Sequence, residues 1–352
     1  MPLRDWSEVM YMPILSLRPA EMRALEELPN KTKDLLLPIV HLRPWTTANE
    51  LESATGRIAE AYGERPVVVA MGEQELSSGR PVHAQLEALR DPKSGFKQWC
   101  SFIDKHDNYI PAIQFSPQSQ QEEVQLSRLV ELDRGIVVIV ERPVFSAIAQ
   151  LAQRVGSKTS GGEDVCFVVD FGQATHKHLN VANEVKGYVE TIRAHAPNAF
   201  VSLSASSFPD SFTKITEQSI YERRLFDSLD HDELIYSDRG SARVERQTGG
   251  GGQPAPRIDY PLPDEWKFFR SDDLVGFEGY QQQAKRLVKD DVWNSNFRVW
   301  GTQMIERTAA GDTSAIGSPQ KATAARINLH LQRQTFYAMP DAAEDTDEDW
   351  SG

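Results

Sequence analysis

Four side chains suited to acid–base chemistry each close a short apolar run of this sequence. They are the carboxylates Glu141, Asp170 and Asp238, and the imidazole of His41. Carboxylates that gather at one place raise one another's pKa or recruit a cation, and histidine is the commonest acid–base residue. We therefore expect these four residues to supply the catalytic groups if the protein is an enzyme, a question that the sequence leaves open.

Arginines follow the same runs. Arg43, Arg142 and Arg239 each come just after a run, Arg270 ends a later one, and the amide of Gln114 closes another. Guanidinium groups bind phosphate and carboxylate through paired hydrogen bonds. A floor of carboxylates inside a ring of arginines predicts binding of an anionic, nucleotide-like small molecule. In the alternative interpretation, the acids and arginines only neutralise one another and leave no open site.

The sequence gives little support to other chemistries. Ser204 and Ser206 lack the GxSxG context of a nucleophilic serine. Cys100 and Cys166 are too far apart in the chain to suggest a disulfide framework or a cysteine zinc site. The chain also lacks a GxGxxG turn after a strand and a Walker loop. We expect no metal site, and the sequence assigns no cofactor.

Eight apolar runs, separated by helix-like segments, are the elements that would position these groups. Because the runs are nearly continuous rather than alternating, they are typical of strands buried on both faces. Eight repeats favour closure into a (β/α)₈ barrel, with an open doubly wound sheet as the alternative, and barrel sites lie at the carboxyl ends of the strands. The runs are 11–16, 36–42, 66–71, 109–115, 135–141, 164–171, 199–205 and 233–238.

The pattern changes after the eighth run, and this change predicts the domain organisation. We expect a barrel over 1–245, a flexible glycine-rich loop over 246–256, a hairpin and helices packed on the barrel over 257–340, and a disordered acidic tail over 341–352. Before the change, single helices are predicted over 19–36 and 211–229. In the last helix, 320–339, the side chains of Arg326, His330 and Arg333 are expected to form a solvent-facing stripe.

Composition and charge exclude several classes of protein. The chain has 352 residues, 40% of them hydrophobic and 25% charged, and a net charge of −13. This acidity argues against a general nucleic-acid binder. No apolar run reaches the roughly 20 residues of a membrane helix, and the first residues do not resemble a secretory signal. We therefore expect a cytoplasmic protein without a membrane partner.

Motifs at the opening of the sequence and at several later places form one recognisable set: Tyr11, Pro13, Glu21, Ala24, Leu25, Pro38, Arg43, Pro44, the stretch 237–241, Tyr260, Trp266, Arg270, Arg326, Asn328 and His330. In these residues the chain resembles the bacteriophage Beta protein family over roughly residues 10–340. The resemblance implies no established activity and no catalytic residue; it implies phage-linked or mobile-element gene contexts, where defence and counter-defence proteins occur. His41 stands where the family often has an acidic residue.

Three functions remain open at this point. The first is a barrel that binds or hydrolyses an anionic, nucleotide-derived small molecule in a phage–host conflict. The second is a non-enzymatic protein-interaction module that docks a protein partner through its C-terminal helices and acidic tail. The third is a nucleic-acid-associated effector that uses the stripe on the last helix, which the net charge disfavours.

Overall fold

The described part of the chain forms a mixed α/β fold in this computed structural model. It comprises residues 2–76, 78–229, 233–243, 254–270 and 273–344. Its strands are β1 Tyr11–Ser16, β2 Ile39–Leu42, β3 Val67–Met71, β4 Tyr109–Pro111, β5 Ile136–Glu141, β6 Val165–Gln173, β7 Phe200–Ser206, β8 Glu217–Ser219, β9 Leu234–Asp238, β10 Arg257–Pro261 and β11 Glu265–Arg270.

Eight parallel strands form one barrel-like sheet. Their order is β4-β3-β2-β1-β9-β7-β6-β5, so the first and last strands of the chain's repeat are neighbours. The two remaining edges also approach each other, because Ala112 and Val137 form a parallel bridge and Ile113 N donates to Val137 O at 2.9 Å. The predicted set of eight parallel strands in an α/β fold is confirmed, and the sheet is nearly closed.

Two separate cores explain why the strands carry continuous apolar runs. Successive side chains of a strand point to opposite faces of the sheet. Ile14, Ile39 and Ala70 pack together in the interior of the ring. Val40 and Val69, one residue away from them in the chain, pack outward with the helices. Both faces are therefore apolar, except where the strands end.

Helices surround the sheet and form most of the C-terminal part. Within the described residues, four short 3₁₀ helices accompany them, at Trp6–Glu8, Arg142–Ala147, His176–Asn180 and Pro340–Ala343. The α-helices are α1 Pro19–Glu26, α2 Asn30–Leu35, α3 Leu51–Tyr62, α4 Pro81–Arg90, α5 Lys93–Asp104, α6 Ser119–Glu131, α7 Ile148–Lys158, α8 Ala182–His195, α9 Tyr221–Asp227, α10 Gly276–Leu287, α11 Trp300–Ala310 and α12 Pro319–Thr335. None of the described helices is long and apolar enough to cross a membrane.

Two predicted helices are wrong as single elements. The segment 19–36 is divided into α1 and α2 because Pro29, which has no N–H to donate, caps the second helix instead of continuing the first. The segment 211–229 contains only the short helix α9. Ahead of α9, β8 pairs with β11, so tertiary pairing outweighs local helical preference.

The C-terminal extension, residues 254–270 and 273–344, has its own core. β10 and β11 form an antiparallel hairpin, and β8 adds a third strand to it. Tyr260, Phe297 and Trp300 pack with residues of α10, α11 and α12. Most of the predicted glycine-rich loop, residues 246–253, and most of the acidic tail, residues 345–352, lie outside the described residues.

Helix α12 is anchored in the barrel by one buried carboxylate. Asp238 Oδ2 lies 2.7 Å from His330 Nε2 and accepts from Tyr236 Oη at 3.1 Å. Its Oδ1 accepts from Tyr11 Oη at 2.5 Å and from Gly240 N at 2.7 Å. Burial alone would raise the pKa of Asp238, but His330 and the other donors outweigh it and lower this pKa below its ordinary value.

The predicted solvent-facing stripe on the last helix is therefore wrong. His330 is completely buried and Arg326 nearly so, whereas Arg333 is only partly buried. The guanidinium of Arg326 forms an ion pair with Asp259 of the hairpin at 2.9 Å. The helix packs against both α1 and β10, so its charged side chains find partners inside the molecule.

Replacing His330 tests this anchor. We expect His330→Ala to lower the free energy of unfolding by about 3 kcal/mol, because it leaves a buried charge without one of its donors. Denaturant unfolding followed by circular dichroism measures the loss. His195→Ala, at an exposed position of α8, is the control and should stay within about 0.5 kcal/mol of the parent chain. A loss below about 1 kcal/mol in His330→Ala would contradict the anchoring role.

Candidate functional site

Two adjoining cavities open at the carboxyl ends of the barrel strands. The first, of about 700 Å³, lies between these strand ends and the C-terminal extension, and we call it the extension-side cavity. The second, of about 830 Å³, lies over the ends of β3, β5 and β6, and we call it the barrel-side cavity. His41, Arg43, Glu73 and Arg239 line both, so one ligand can contact both cavities.

A carboxylate pair with a shared arginine lies in the barrel-side cavity. Glu141 and Asp170 are side by side because they are register partners in β5 and β6. Arg239, which follows β9, forms an ion pair with Asp170 and reaches Glu141 Oε1 at 3.7 Å. Burial and the nearby charge of Asp170 raise the pKa of Glu141 above its ordinary value.

His41 is a neutral base at this rim. Its side chain is buried at the end of β2 and faces the guanidiniums of Arg239 and Arg43. Burial, and then these two positive charges, lower its pKa to about 3. The imidazole is therefore uncharged at neutral pH and adds no positive charge to the cavity.

Arg43 is held between two acidic residues that follow β3. Its terminal nitrogens lie 3.0 Å from Glu73 Oε2 and 3.2 Å from Glu75 Oε1. Gly72 allows this close packing, because a Cβ there would lie 2.8 Å from Leu42 O and 3.0 Å from Arg43 Cγ. Arg43 is consequently nearly buried, and its Nε has no hydrogen-bond partner among the described residues.

The opposite wall of the extension-side cavity is formed by the hairpin and α12. Asp259 accepts from Arg257 and from Arg326. Burial alone would raise the pKa of Asp259, but the two guanidiniums outweigh it and lower this pKa. Arg18 and Arg243 complete the basic lining.

Glu21 is a buried acid in the same cavity. It lies in the first turn of α1, where Pro19 starts the helix, and its carboxylate accepts from the backbone N–H of Ser16 at the end of β1. Burial raises its pKa to about 7, although this hydrogen bond and the charges of Arg18, Arg43 and Arg326 oppose the rise. The carboxyl of Glu21 therefore ionises near neutral pH.

Several predicted site residues lie elsewhere or serve a different contact. The carboxylate of Asp238 points toward α12, where it contacts His330, and it lines neither cavity. Gln114 donates to Leu89 O at 2.9 Å and lines a smaller neighbouring cavity with His41 and Glu141. Arg270 is the register partner of Arg257 at the end of the hairpin and lines neither of the two main cavities.

Arg142 lies where the sequence predicts it, in the lining of the barrel-side cavity. Its Nε donates to Phe171 O at 2.7 Å, and its guanidinium lies 5.3 Å from the centre of the Phe171 ring. These contacts hold an otherwise exposed side chain in a defined place at the rim.

Sequence reasoning missed the groups that the extension supplies. Glu21 and Arg326 match the family pattern, which gives them no role in a site, and Glu73 follows the third apolar run, where the sequence predicts no site residue. Arg257 and Asp259 alternate with apolar residues of a hairpin strand, a pattern that also fits a solvent-facing edge. The described residues contain no group of three or more His, Cys, Asp or Glu side chains arranged to hold a metal ion.

Fold and site together define an α/β protein whose barrel-like sheet carries an arginine-lined cavity under a helical extension. The chain belongs to the Beta protein family, whose model matches residues 11–336. The matched range includes the sheet, the hairpin and all but the end of the extension. Among known relatives, protein beta of Enterobacteria phage P4 is 28% identical over 334 residues, which are 92% of each protein. The family resemblance seen in the sequence is thus confirmed.

The titration of His41 tests the electrostatics of the rim. We expect its imidazole to stay neutral down to about pH 4, and Arg239→Leu to move its pKa upward because one repelling charge is removed. Nitrogen-detected NMR of histidine side chains measures both. His178 is an internal control: burial and Arg142, rather than Arg239, lower its pKa to about 4. A His41 signal that titrates near pH 6.5 would contradict this geometry.

Glu21→Gln tests the buried acid. A carboxyl whose folded-state pKa is raised destabilises the fold once pH exceeds its unfolded value, so stability falls between about pH 4.5 and 7. We expect the variant to match the parent below pH 4.5 and to be roughly 2–3 kcal/mol more stable at pH 8. Denaturant unfolding at both pH values measures the difference. Equal differences at both would show that Glu21 ionises freely.

Proposed function

We propose that this protein binds an anionic, nucleotide-like small molecule in the two cavities at the strand ends. One observation carries the proposal: six arginines line the extension-side cavity, against three carboxylates, in a chain with a net charge of −13. His41 adds no charge there, so the excess is positive. Positive charge concentrated in a concave site of an acidic protein is suited to an anion.

The arginines also have the geometry that anion binding needs. Arg43 and Arg239 lie where the two cavities meet, and the Nε atoms of both are buried without a hydrogen-bond partner among the described residues. A buried, unsatisfied donor is costly unless a ligand or water accepts from it. An acceptor group of the ligand at this junction would accept hydrogen bonds from both guanidiniums at once.

We also propose that the bound ligand is hydrolysed at the same site. Glu141 has a raised pKa and Asp170 pairs with Arg239, so the two neighbouring carboxylates have different environments. Such a pair can divide the roles of acid and base. His41, neutral at physiological pH, is a second candidate for proton transfer. Binding without bond cleavage remains compatible with the same residues.

The proposal also covers the type of barrel and the biological context of the protein. We interpret the nearly closed ring of eight parallel strands as a (β/α)₈ barrel, for which sites at the strand carboxyl ends are the rule. The relative in a phage supports a role in a phage–host conflict, and we propose a cytoplasmic location. The alternative function is a non-enzymatic interaction module with a protein partner on the C-terminal helices. The burial of α12 leaves α10 and α11 as the faces for such a partner.

A ligand panel tests the binding proposal. We expect nucleoside monophosphates and phosphosugars to raise the melting temperature by several degrees at saturation, and their unphosphorylated counterparts to have no effect. Arg239→Ala and Arg142→Ala, each compared with its own unliganded baseline, should lose most of this shift. Native mass spectrometry of the purified protein would identify an anion that is retained.

The matched control is Arg193→Ala, which removes an exposed arginine from α8 on the outside of the barrel. It changes the net charge equally and should keep the full ligand shift. If no anion in the panel stabilises the parent chain, or if Arg193→Ala abolishes the shift as Arg239→Ala does, the binding proposal fails. The interaction module then becomes the better description.

A further inference from the structure

Three arginines of the extension-side cavity surround a single buried carboxylate. Arg257 donates to Asp259 from Nε and from a terminal nitrogen, the latter at 2.8 Å, and Arg326 donates to the same carboxylate at 2.9 Å. Arg243 is close enough for its charge to interact with both Arg257 and Arg326. Asp210, which lines the other cavity, also attracts Arg243. Arg257 and Arg326 are thus two guanidiniums that share the single carboxylate of Asp259.

Aromatic rings hold these guanidiniums in place. The Cζ atoms of Arg257 and Arg243 lie 3.3 Å and 5.4 Å from the centre of the Phe212 ring. Arg326 lies 4.1 Å from the centre of the Phe208 ring. Stacking of this kind fixes a cation without using its hydrogen-bond donors. Arg243 also donates from Nε to Pro209 O at 3.1 Å, so a backbone contact and the ring together set the position of its guanidinium at the cavity.

Arg326 is the most constrained of the three. It is about 6% exposed, and its Nε has no hydrogen-bond partner among the described residues. Burial, together with the charges of Arg257 and Arg243, lowers its pKa to about 10, so it stays charged at neutral pH. A buried charge with an unused donor, facing a cavity, is suited to a group with several acceptor oxygens.

The barrel-side cavity has the opposite character. Its lining contains four carboxylates, of Glu73, Glu141, Asp170 and Asp210, and three arginines. Carboxylates accept hydrogen bonds and cannot donate them when ionised. This end is therefore suited to hydroxyl or amino groups and not to a second phosphate.

We infer that the ligand is a phosphate monoester of a polyhydroxylated compound, bound with its phosphate between Arg243, Arg257 and Arg326 and its hydroxyl groups on Glu141 and Asp170. The inference rests on the proposed function and specifies the ligand class and its direction. Sugar phosphates and nucleoside monophosphates share this chemistry. The extension, rather than the barrel, then recognises the phosphate.

Calorimetric titration with three probes tests the inference: inorganic phosphate, ribose 5-phosphate and ribose. We expect ribose 5-phosphate to bind more tightly than phosphate, and ribose alone not to bind measurably. Arg257→Gln should weaken both anions by about tenfold or more. Arg243→Gln, which leaves the buried Asp259–Arg326 pair intact, should do the same if Arg257→Gln fails to fold.

Glu141→Gln separates the two ends of the ligand. It should weaken ribose 5-phosphate by about tenfold and leave inorganic phosphate within about twofold, because only the sugar reaches the carboxylates. Arg193→Gln and Glu190→Gln, both exposed on α8, are the matched controls and should change neither affinity.

The outcomes distinguish the two proposals. If the phosphates bind but depend on Arg142 and not on Arg243 or Arg257, the inferred direction is overturned and the proposed function stands. If Glu141→Gln weakens inorganic phosphate as much as ribose 5-phosphate, the two-ended arrangement is overturned. If ribose binds as tightly as ribose 5-phosphate, the ligand class is overturned, and if no phosphate compound of either experiment binds, both proposals fail.

Discussion

The buried hydrogen bond between Asp238 and His330 holds the C-terminal extension against the barrel. It joins the last strand of the ring to a helix 92 residues further along the chain, and both side chains are buried. A buried carboxylate needs its donors, so α12 has one favourable position over the barrel. That position brings Arg326 to the mouth of the ring and gives the extension-side cavity its outer wall. The shape of the extension-side cavity therefore depends on the contact between Asp238 and His330, although neither residue lines the cavity.

The two cavities combine groups of different origin. Glu141, Asp170 and His41 come from strand ends and are held by the register of the sheet, whereas Arg257, Asp259 and Arg326 come from the extension. Arginines outnumber carboxylates in the lining of the extension-side cavity, and carboxylates outnumber arginines in that of the barrel-side cavity. This difference in charge balance is the basis of the orientation proposed for the ligand.

Much of the fold was predictable from local patterns. The eight apolar runs predict eight parallel strands, because only strands covered on both faces are apolar throughout. The clustering of Glu141, Asp170 and Arg239 follows from their places at strand ends. Asp238 stands at an equivalent place but faces away from the cavities, since Tyr11, Tyr236 and His330 supply it with donors. Its direction depends on a partner helix that no local pattern identifies.

The sequence by itself therefore determined the class of fold, the strand-end position of the candidate site and the family. Only the tertiary structure decided which charged residues share the cavity. Arg326 and Asp259 are 67 residues apart and both lie in segments whose charges look ordinary for a surface. Periodicity reports which face of an element is apolar, and it carries no information about which distant element covers that face. The arginines of the extension became part of the site through packing alone.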